Sequence, residues 1–294
     1  MLKKTRKNLK KIPYLMEIIQ FIKRKKMSLK YEVHDIYDSY ISNSTKIQKT
    51  PYGFNLCGST SLHHRAMQAG TFEPEETALF KEQFLTSDVF VDVGANIGFY
   101  SCLAKVSGLH VLAIEPLPKN LHYLMNNISA NHWEDVEVFP LGLSNQSGVA
   151  TLYGASSTGA SLIGKWAGSS EYFQRKIALS TLDILLGNRF QERKLFIKID
   201  VEGFEYQVLL GAVQTASMNP KPSWVIEVCL NEYHPTGLNP NFEKTFSFFW
   251  DLGYEVYTAD QYKNLVTHDQ VKGWVEQGRC DSGTINYLFT PLAK

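Results

Sequence analysis

The stretch IKIDVEGFE, residues 197 to 205, puts Lys198, Asp200 and Glu202 on one face of an extended segment, because alternate residues of a strand point the same way. Three charges in a run otherwise suited to burial are costly unless they pair or do chemistry. One reading is structural, an ion cluster closing the end of a sheet. The other is catalytic: a carboxylate here takes the proton of a hydroxyl nucleophile as a new bond forms at its oxygen. Asp200 or Glu202 suits that role. Lys198 suits it only if burial renders it neutral, which neighbouring carboxylates oppose. Glu227, with NEYHP soon after it, adds Asn231 and His234 to the same rim. Asp200 and Glu227 could also form a hard-oxygen pair for a divalent metal, or simply bind substrate hydroxyls.

A second group of residues suits binding. DVGANIGFYS, residues 92 to 101, follows an apolar run and carries Asp92, Gly94, Asn96 and Gly98. Glycines at such a turn allow a tight bend and a close approach of the helix that follows, whose first amides face an anion. Glu115 stands about 20 residues further on, where a carboxylate accepts ribose hydroxyls. A dinucleotide turn needs glycine where Asn96 stands, so that the backbone can reach a pyrophosphate. S-adenosylmethionine carries no pyrophosphate, and the residues favour it over NAD. Tyr172 and Lys176 have the Y-x-x-x-K spacing of short-chain dehydrogenases, but they fall between the third and fourth core strands, away from any nicotinamide.

The elements that must hold these groups are legible as a rhythm. VFVDV, HVLAI, VEVFPL, LFIKI and WVIEV alternate with helical stretches at 98–107, 117–131 and 205–213. Such alternation predicts βαβ units and a parallel sheet buried on both faces. GYEVYTA and TINYLFT read as two further strands, an antiparallel edge pair. The fold class is α/β, a doubly wound, Rossmann-like sheet of about seven strands with an N-terminal helical or mixed extension. Ligands are expected at the carboxyl ends of its strands. The expected divisions are a basic amphipathic tail at 1–30, a cap or substrate-side segment at 31–87 and the main domain at 88–294. His63 and His64 precede the sheet, as a lid or as surface and helix-cap residues. TGASLIGKWAG reads as a loop over the strand ends, where Trp166 either stacks on a sugar ring or packs the loop down.

The net charge of +1 hides an asymmetry. Residues 1–30 hold 11 of the 30 basic residues and one of the 29 acidic ones, leaving 19 basic against 28 acidic in the body. A basic tail on an acidic body argues against nucleic acid as the substrate. The apolar segment IPYLMEIIQFI is too short to span a bilayer, and KRKK follows it in place of a signal-cleavage site. Its apolar residues share a helical face, which fits equally an interfacial helix drawn to anionic lipid and a helix docked on protein. Four dispersed cysteines form no C-x-x-C pair and no visible zinc site, which fits a reduced, cytoplasmic setting. Peripheral membrane contact through residues 1–30 goes with the interfacial reading.

Taken together, FEPEET, VFVDVGANIGFYS, IEPLPKNLHYLMNNI, TGASLIGKWAG, STLD, IKIDVEGFEYQVLLGA and IEV resemble the FkbM-type family of S-adenosylmethionine-dependent methyltransferases over about residues 50–290. The resemblance implies a class I methyltransferase sheet of strand order 3-2-1-4-5-7-6. It also implies methylation of hydroxyl oxygens on sugars, glycans, glycolipids or natural products, with S-adenosyl-L-methionine as cofactor. Carried over by position, Asp92, Gly94, Asn96, Gly98, Phe99 and Tyr100 would surround the methionine part. Glu115, with Pro116 and Asn120 beside it, would hold the ribose, and Ser144 would lie at the adenine edge. Asp200 would sit beside the transferable methyl, with Lys198, Glu202, Glu227 and His234 as the catalytic candidates. Base-methylating enzymes usually carry an N/D-P-P-Y type motif at the fourth strand; DVEG stands there instead.

Overall fold

The computed structural model describes residues 45–154, 159–169 and 171–292. The basic tail, with the membrane contact expected of it, lies outside the described residues.

Seven strands form the central sheet: β1 (Val89–Val93), β2 (His110–Ile114), β3 (Glu137–Phe139), β4 (Leu195–Ile199), β5 (Ser223–Glu227), β6 (Tyr254–Thr258) and β7 (Asn286–Pro291). Their spatial order is β3-β2-β1-β4-β5-β7-β6, the order of a class I methyltransferase sheet. The first five run parallel, and β7 lies antiparallel to both β5 and β6. β7 is thus an interior strand and only β6 is an edge, which refines the expected edge pair. All residues of β1 and β4 are buried, as continuous apolar runs in a covered parallel sheet should be.

The helices are α1 (Leu62–Ala69), α2 (Pro74–Phe84), α3 (Phe99–Val106), α4 (Pro118–Ala130), α5 (Leu182–Leu186), α6 (Glu205–Leu210), α7 (Val213–Ala216), α8 (Phe242–Asp251) and α9 (His268–Gln277). α2 shows how local sequence sets a boundary. Pro74 starts it, Glu75 and Glu76 occupy its first turn and Lys81 its last, all matched to the helix dipole.

One packing layer joins the N-terminal segment to the sheet. Phe54, Leu56, Phe80 and Phe84 share a core with Phe90, Phe99, Leu103 and Phe196. Polar ties reinforce it. Asn127 of α4 accepts a hydrogen bond from the Cys57 N–H at 2.7 Å and donates to the carbonyls of Cys57 and Ile97. A small three-stranded sheet of Gly142–Leu143, Gly148–Tyr153 and Gln174–Ser180 folds beside the main sheet. Tyr172 is 82% exposed next to it, and Lys176 donates to Thr151, so this pair forms no dehydrogenase dyad. No described helix is long and apolar enough to cross a membrane.

Candidate active site

Strand register brings the two chemical groups together. β1 lies between β2 and β4, with Asp92 opposite Lys198 and Val93 opposite both Ile114 and Ile199. The glycine turn, Glu115 and Asp200 therefore leave the sheet side by side. Beyond them opens a cavity of about 320 Å³, at the small end of the usual range for small-molecule sites. Val93, Gly94, Ala95, Asn96, Phe99, Tyr100, Glu115, Pro116 and Asn120 line one side, and Lys198, Asp200, Glu202 and Glu227 line another.

Gly94 has a φ of 82°, and a Cβ there would sit 1.8 Å from the Asp200 carbonyl oxygen. No side chain fits between the two loops. Gly98, at a φ of 85°, faces Leu124 of α4 in the same way, with 2.4 Å to Leu124 Cδ1. It therefore serves the packing of α3 on α4, and it does not line the cavity. The side chain of Asn96 accepts from the Ile97 N–H at 2.8 Å and meets His64 Nε2 at 3.1 Å, so it is held by the turn itself and by α1.

Glu115 is 4% exposed, and each of its oxygens accepts one backbone N–H, from Asn96 and from Leu117, both at 2.8 Å. Burial pushes its pKa up to about 7 against these hydrogen bonds and one from Asn120. A carboxylate oxygen has room for two donors, so with Asn96, Leu117 and Asn120 already donating, one acceptor position remains for a ribose hydroxyl. Leu117, Leu141, Leu143, Leu152 and Ile177 continue the wall as an apolar slot suited to a purine. The cavity thus fits S-adenosylmethionine: a buried carboxylate with an acceptor position for a ribose hydroxyl, and apolar walls.

Lys198 is the charge at the centre of the other side. Its Nζ stands 3.0 Å from Asp200 Oδ2 and 3.9 Å from Asp92 Oδ1. Burial alone would lower its pKa, but Asp200 and Asp92 hold the ammonium above its ordinary value. Lys198 is consequently a charge partner, not a neutral base. Asp92 is 1% exposed, accepts from Ser101 Oγ at 2.6 Å, and lies behind the cavity rather than in its lining. Burial raises its pKa, partly offset by Lys198 and Ser101.

The carboxylates around Lys198 crowd one another. Burial and then Asp200 push Glu202 up to about 7, against a 2.6 Å hydrogen bond from Trp166 Nε1. Burial, with Asp200, Glu202, Glu73 and Glu205 around it, raises Glu227 well above the carboxylate range. Sequence reading missed Glu73. It has a φ of 41° at the start of α2, accepts from Tyr100 OH at 2.7 Å and lines the cavity. Burial pushes it up to about 7. The only hint was an acidic residue directly before the helix-starting Pro74.

Other expected residues lie elsewhere. Ser144 is buried against Asn145 and outside the cavity lining; Leu141, Gly142 and Leu143 hold that edge instead. His234 also stands outside the lining. Its ring meets Trp166 edge-on at 5.9 Å and its Nδ1 pairs with Thr236 Oγ1 at 2.8 Å, while burial lowers its pKa. Asn231 donates to the Gly278 carbonyl. Trp166 is 1% exposed and packs under Gly203, where a Cβ would come within 2.3 Å of its ring. It pins the loop and offers no face to a sugar. His64 is fully buried and ties α1 to the glycine turn, whereas His63 is exposed at the cavity mouth.

Residues 92–256 match the family described as the Methyltransferase FkbM domain. The chain belongs to the FkbM methyltransferase family. It is a methyltransferase, and S-adenosylmethionine is its cofactor. A search of curated proteins by sequence found no match. Among solved structures, this FkbM protein resembles a precorrin-6y C5,15-methyltransferase from Geobacter metallireducens, at 14% identity and a TM-score of 0.37, covering 73% of this chain and 86% of that one. It also resembles TYW2 of M. jannaschii in complex with AdoMet, at 15% identity and a TM-score of 0.37, covering 84% and 86%. These are distant likenesses; the fold assignment rests on the strand order of the FkbM protein itself.

Proposed function

We propose that the protein transfers a methyl group from S-adenosylmethionine to a hydroxyl oxygen of a sugar, glycan, glycolipid or natural product. The observation that carries this reading is Asp200, charge-paired with Lys198 and opening onto the cofactor cavity beside Glu227. Bound S-adenosylmethionine supplies an electrophilic methyl carbon on a positively charged sulfur, which leaves as a neutral thioether. The chain's task is to place an oxygen in line with that carbon and to receive its proton. Asp200 Oδ2 is held by Lys198, and its Oδ1 is left to accept the acceptor's hydroxyl hydrogen. Glu227, whose pKa is raised by burial and by the carboxylates around it, stands beside Asp200 in the lining, where it can hydrogen-bond and orient the acceptor. Lys198 stays protonated, so the negative charge that develops on the acceptor oxygen as its proton moves to Asp200 is partly neutralised. Glu202 is fixed by Trp166 and shapes the wall.

The test is Asp200→Asn, assayed for transfer of labelled methyl to a panel of sugars, glycolipids and polyketide hydroxyls. Turnover should fall about 10²–10⁴-fold, the usual worth of a positioned base. Calorimetric binding of S-adenosylhomocysteine should persist. Unchanged turnover at saturating cofactor would remove Asp200 from the chemistry.

A further inference from the structure

A second cavity, of about 510 Å³, lies on the far side of Glu73 and Glu227, which also line the cofactor cavity. A small pocket of about 10 Å³, lined in part by Tyr100, Lys198 and Asp200, shares Glu73 and Glu227 with both. The groups that would handle a hydroxyl thus stand between a cofactor chamber and a second, open one. From the topology, that second chamber sits between β5 and β7, at the residues that follow Glu227 and precede Asn286.

Its lining has a one-sided charge. Glu73, Glu76, Glu227 and Glu232 contribute carboxylates, and no Lys, Arg or His lines it among the described residues. Lys198, beside Glu73 and Glu227 in the cofactor cavity, is already paired with Asp200 and Asp92. The side chain of Glu227 makes no hydrogen bond or ion pair with any described residue, although it is partly buried and lines both chambers. Ser282 and Thr284 add hydroxyls along the same wall. A phosphate or sulfate brought here would meet like charges in a partly desolvated space. An ammonium would instead offer up to three donors to carboxylates that have no cation of their own.

We infer that this second cavity is the acceptor site, and that it selects hydroxyl compounds bearing an ammonium close to the methylated oxygen, amino sugars being the simplest class, over phosphorylated or otherwise anionic ones. The inference rests on the methyl-transfer reading for its chemistry. The charge selection, however, can be measured without it.

Cys280 lines the second cavity and is partly exposed, whereas Cys57, Cys102 and Cys229 are buried. The full chain is treated with 2-aminoethyl or 2-sulfonatoethyl methanethiosulfonate, two small thiol reagents of opposite charge. The rate ratio at Cys280, divided by that for free cysteine, reports the cavity's preference, with Cys280→Ser as the blank. A preference of at least about tenfold for the cationic reagent is expected, corresponding to ~1.4 kcal/mol. It should shrink on Glu76→Gln and again on Glu232→Gln. A ratio equal to that of free cysteine, or an anionic preference, overturns the inference.

A second arm compares labelled methyl transfer to glucosamine, glucose and glucose 6-phosphate. Transfer to the phosphorylated sugar in preference to the amine also overturns it. If none of the three is methylated, the labelling ratio still decides. Failure of S-adenosylhomocysteine to bind would strike the cofactor reading alone, because the labelling needs no cofactor.

Discussion

The two sides of the cleft are built on opposite principles. On the cofactor side, Glu115 has a backbone N–H on each oxygen, and the loop around it closes through main-chain contacts. On the acceptor side, Glu73, Asp200, Glu202 and Glu227 surround a single lysine, and burial and mutual repulsion hold three of them above the usual carboxylate range. The first side is finished without a ligand, since its shape is held by the chain itself. The second holds more carboxylates than cations, and that excess is what the proposed acceptor would meet. This contrast is what a transferase with a fixed donor and a selected acceptor requires.

The comparison can be broken first on the cofactor side. Gly94→Ala drives a methyl into the Asp200 carbonyl at an unfavourable φ, and should destabilise the protein by about 3 kcal/mol or more. Thermal unfolding should show it as a fall of roughly 6–12 °C, given ~2–4 °C per kcal/mol at this size. A fall below about 2 °C would mean that the two loops are free to part.

Glu115→Gln comes next. The amide keeps one acceptor, loses the charge and turns a donor toward a backbone N–H, so calorimetry with S-adenosylhomocysteine should show affinity lower by about 100-fold. Trp166→Phe keeps the ring under Gly203 but removes the donor to Glu202. Stability should drop by about 1.5–2 kcal/mol in denaturant unfolding, with cofactor affinity unchanged. A large loss of affinity would place Trp166 in the binding site after all.

The smallest effect sharpens the contrast, because pH acts on the two sides with opposite signs. Glu73, Glu115 and Glu202 are raised to about 7 and Glu205 to about 8 in the folded chain. A raised carboxyl favours the folded state while it is protonated. Its contribution is full below the unfolded value, near 4.5, and is lost as pH rises through the folded value. The melting temperature of the ligand-free protein should therefore fall between pH 5.5 and 8. Glu115, in contrast, must be ionised to accept a hydroxyl beside the three donors it already holds. Affinity for S-adenosylhomocysteine should rise by up to about tenfold from pH 6 to pH 8. Parallel trends in the two measurements would contradict this division of labour.

The two sides also differed in how well the sequence revealed them. Five apolar runs and the helices between them disclosed the parallel part of the sheet, because strands buried on both faces must be apolar throughout. The turn from Gly94 to Gly98 and Glu115 were legible because backbone conformation and a strand-end carboxylate are local signals. Even so, the sequence could not say that Gly98 faces Leu124, or that Gly94 faces another backbone. The acceptor side is drawn from residues far apart in the chain. Glu73 reaches the cavity through a left-handed conformation before Pro74, and Ile285 arrives from the start of β7. A period of two told which way Lys198 and Asp200 point, but nothing about where the loops carrying His234 and Trp166 would settle. The three-stranded sheet at 142–180 escaped because its strands are short or half-exposed and lack the buried pattern.

The aromatic layer beneath α2 bears on modularity. The stretch shared with the FkbM family runs from 92 to 256, yet Phe54, Phe80 and Phe84 pack on Phe90 and Phe196, and Glu73 hangs from the same layer. The inherited unit is therefore smaller than the folding unit. Grafting the shared stretch alone onto another scaffold would carry Asp200, Glu202 and Glu227 but leave behind Glu73, Glu76 and the lining residues from Cys280 to Tyr287.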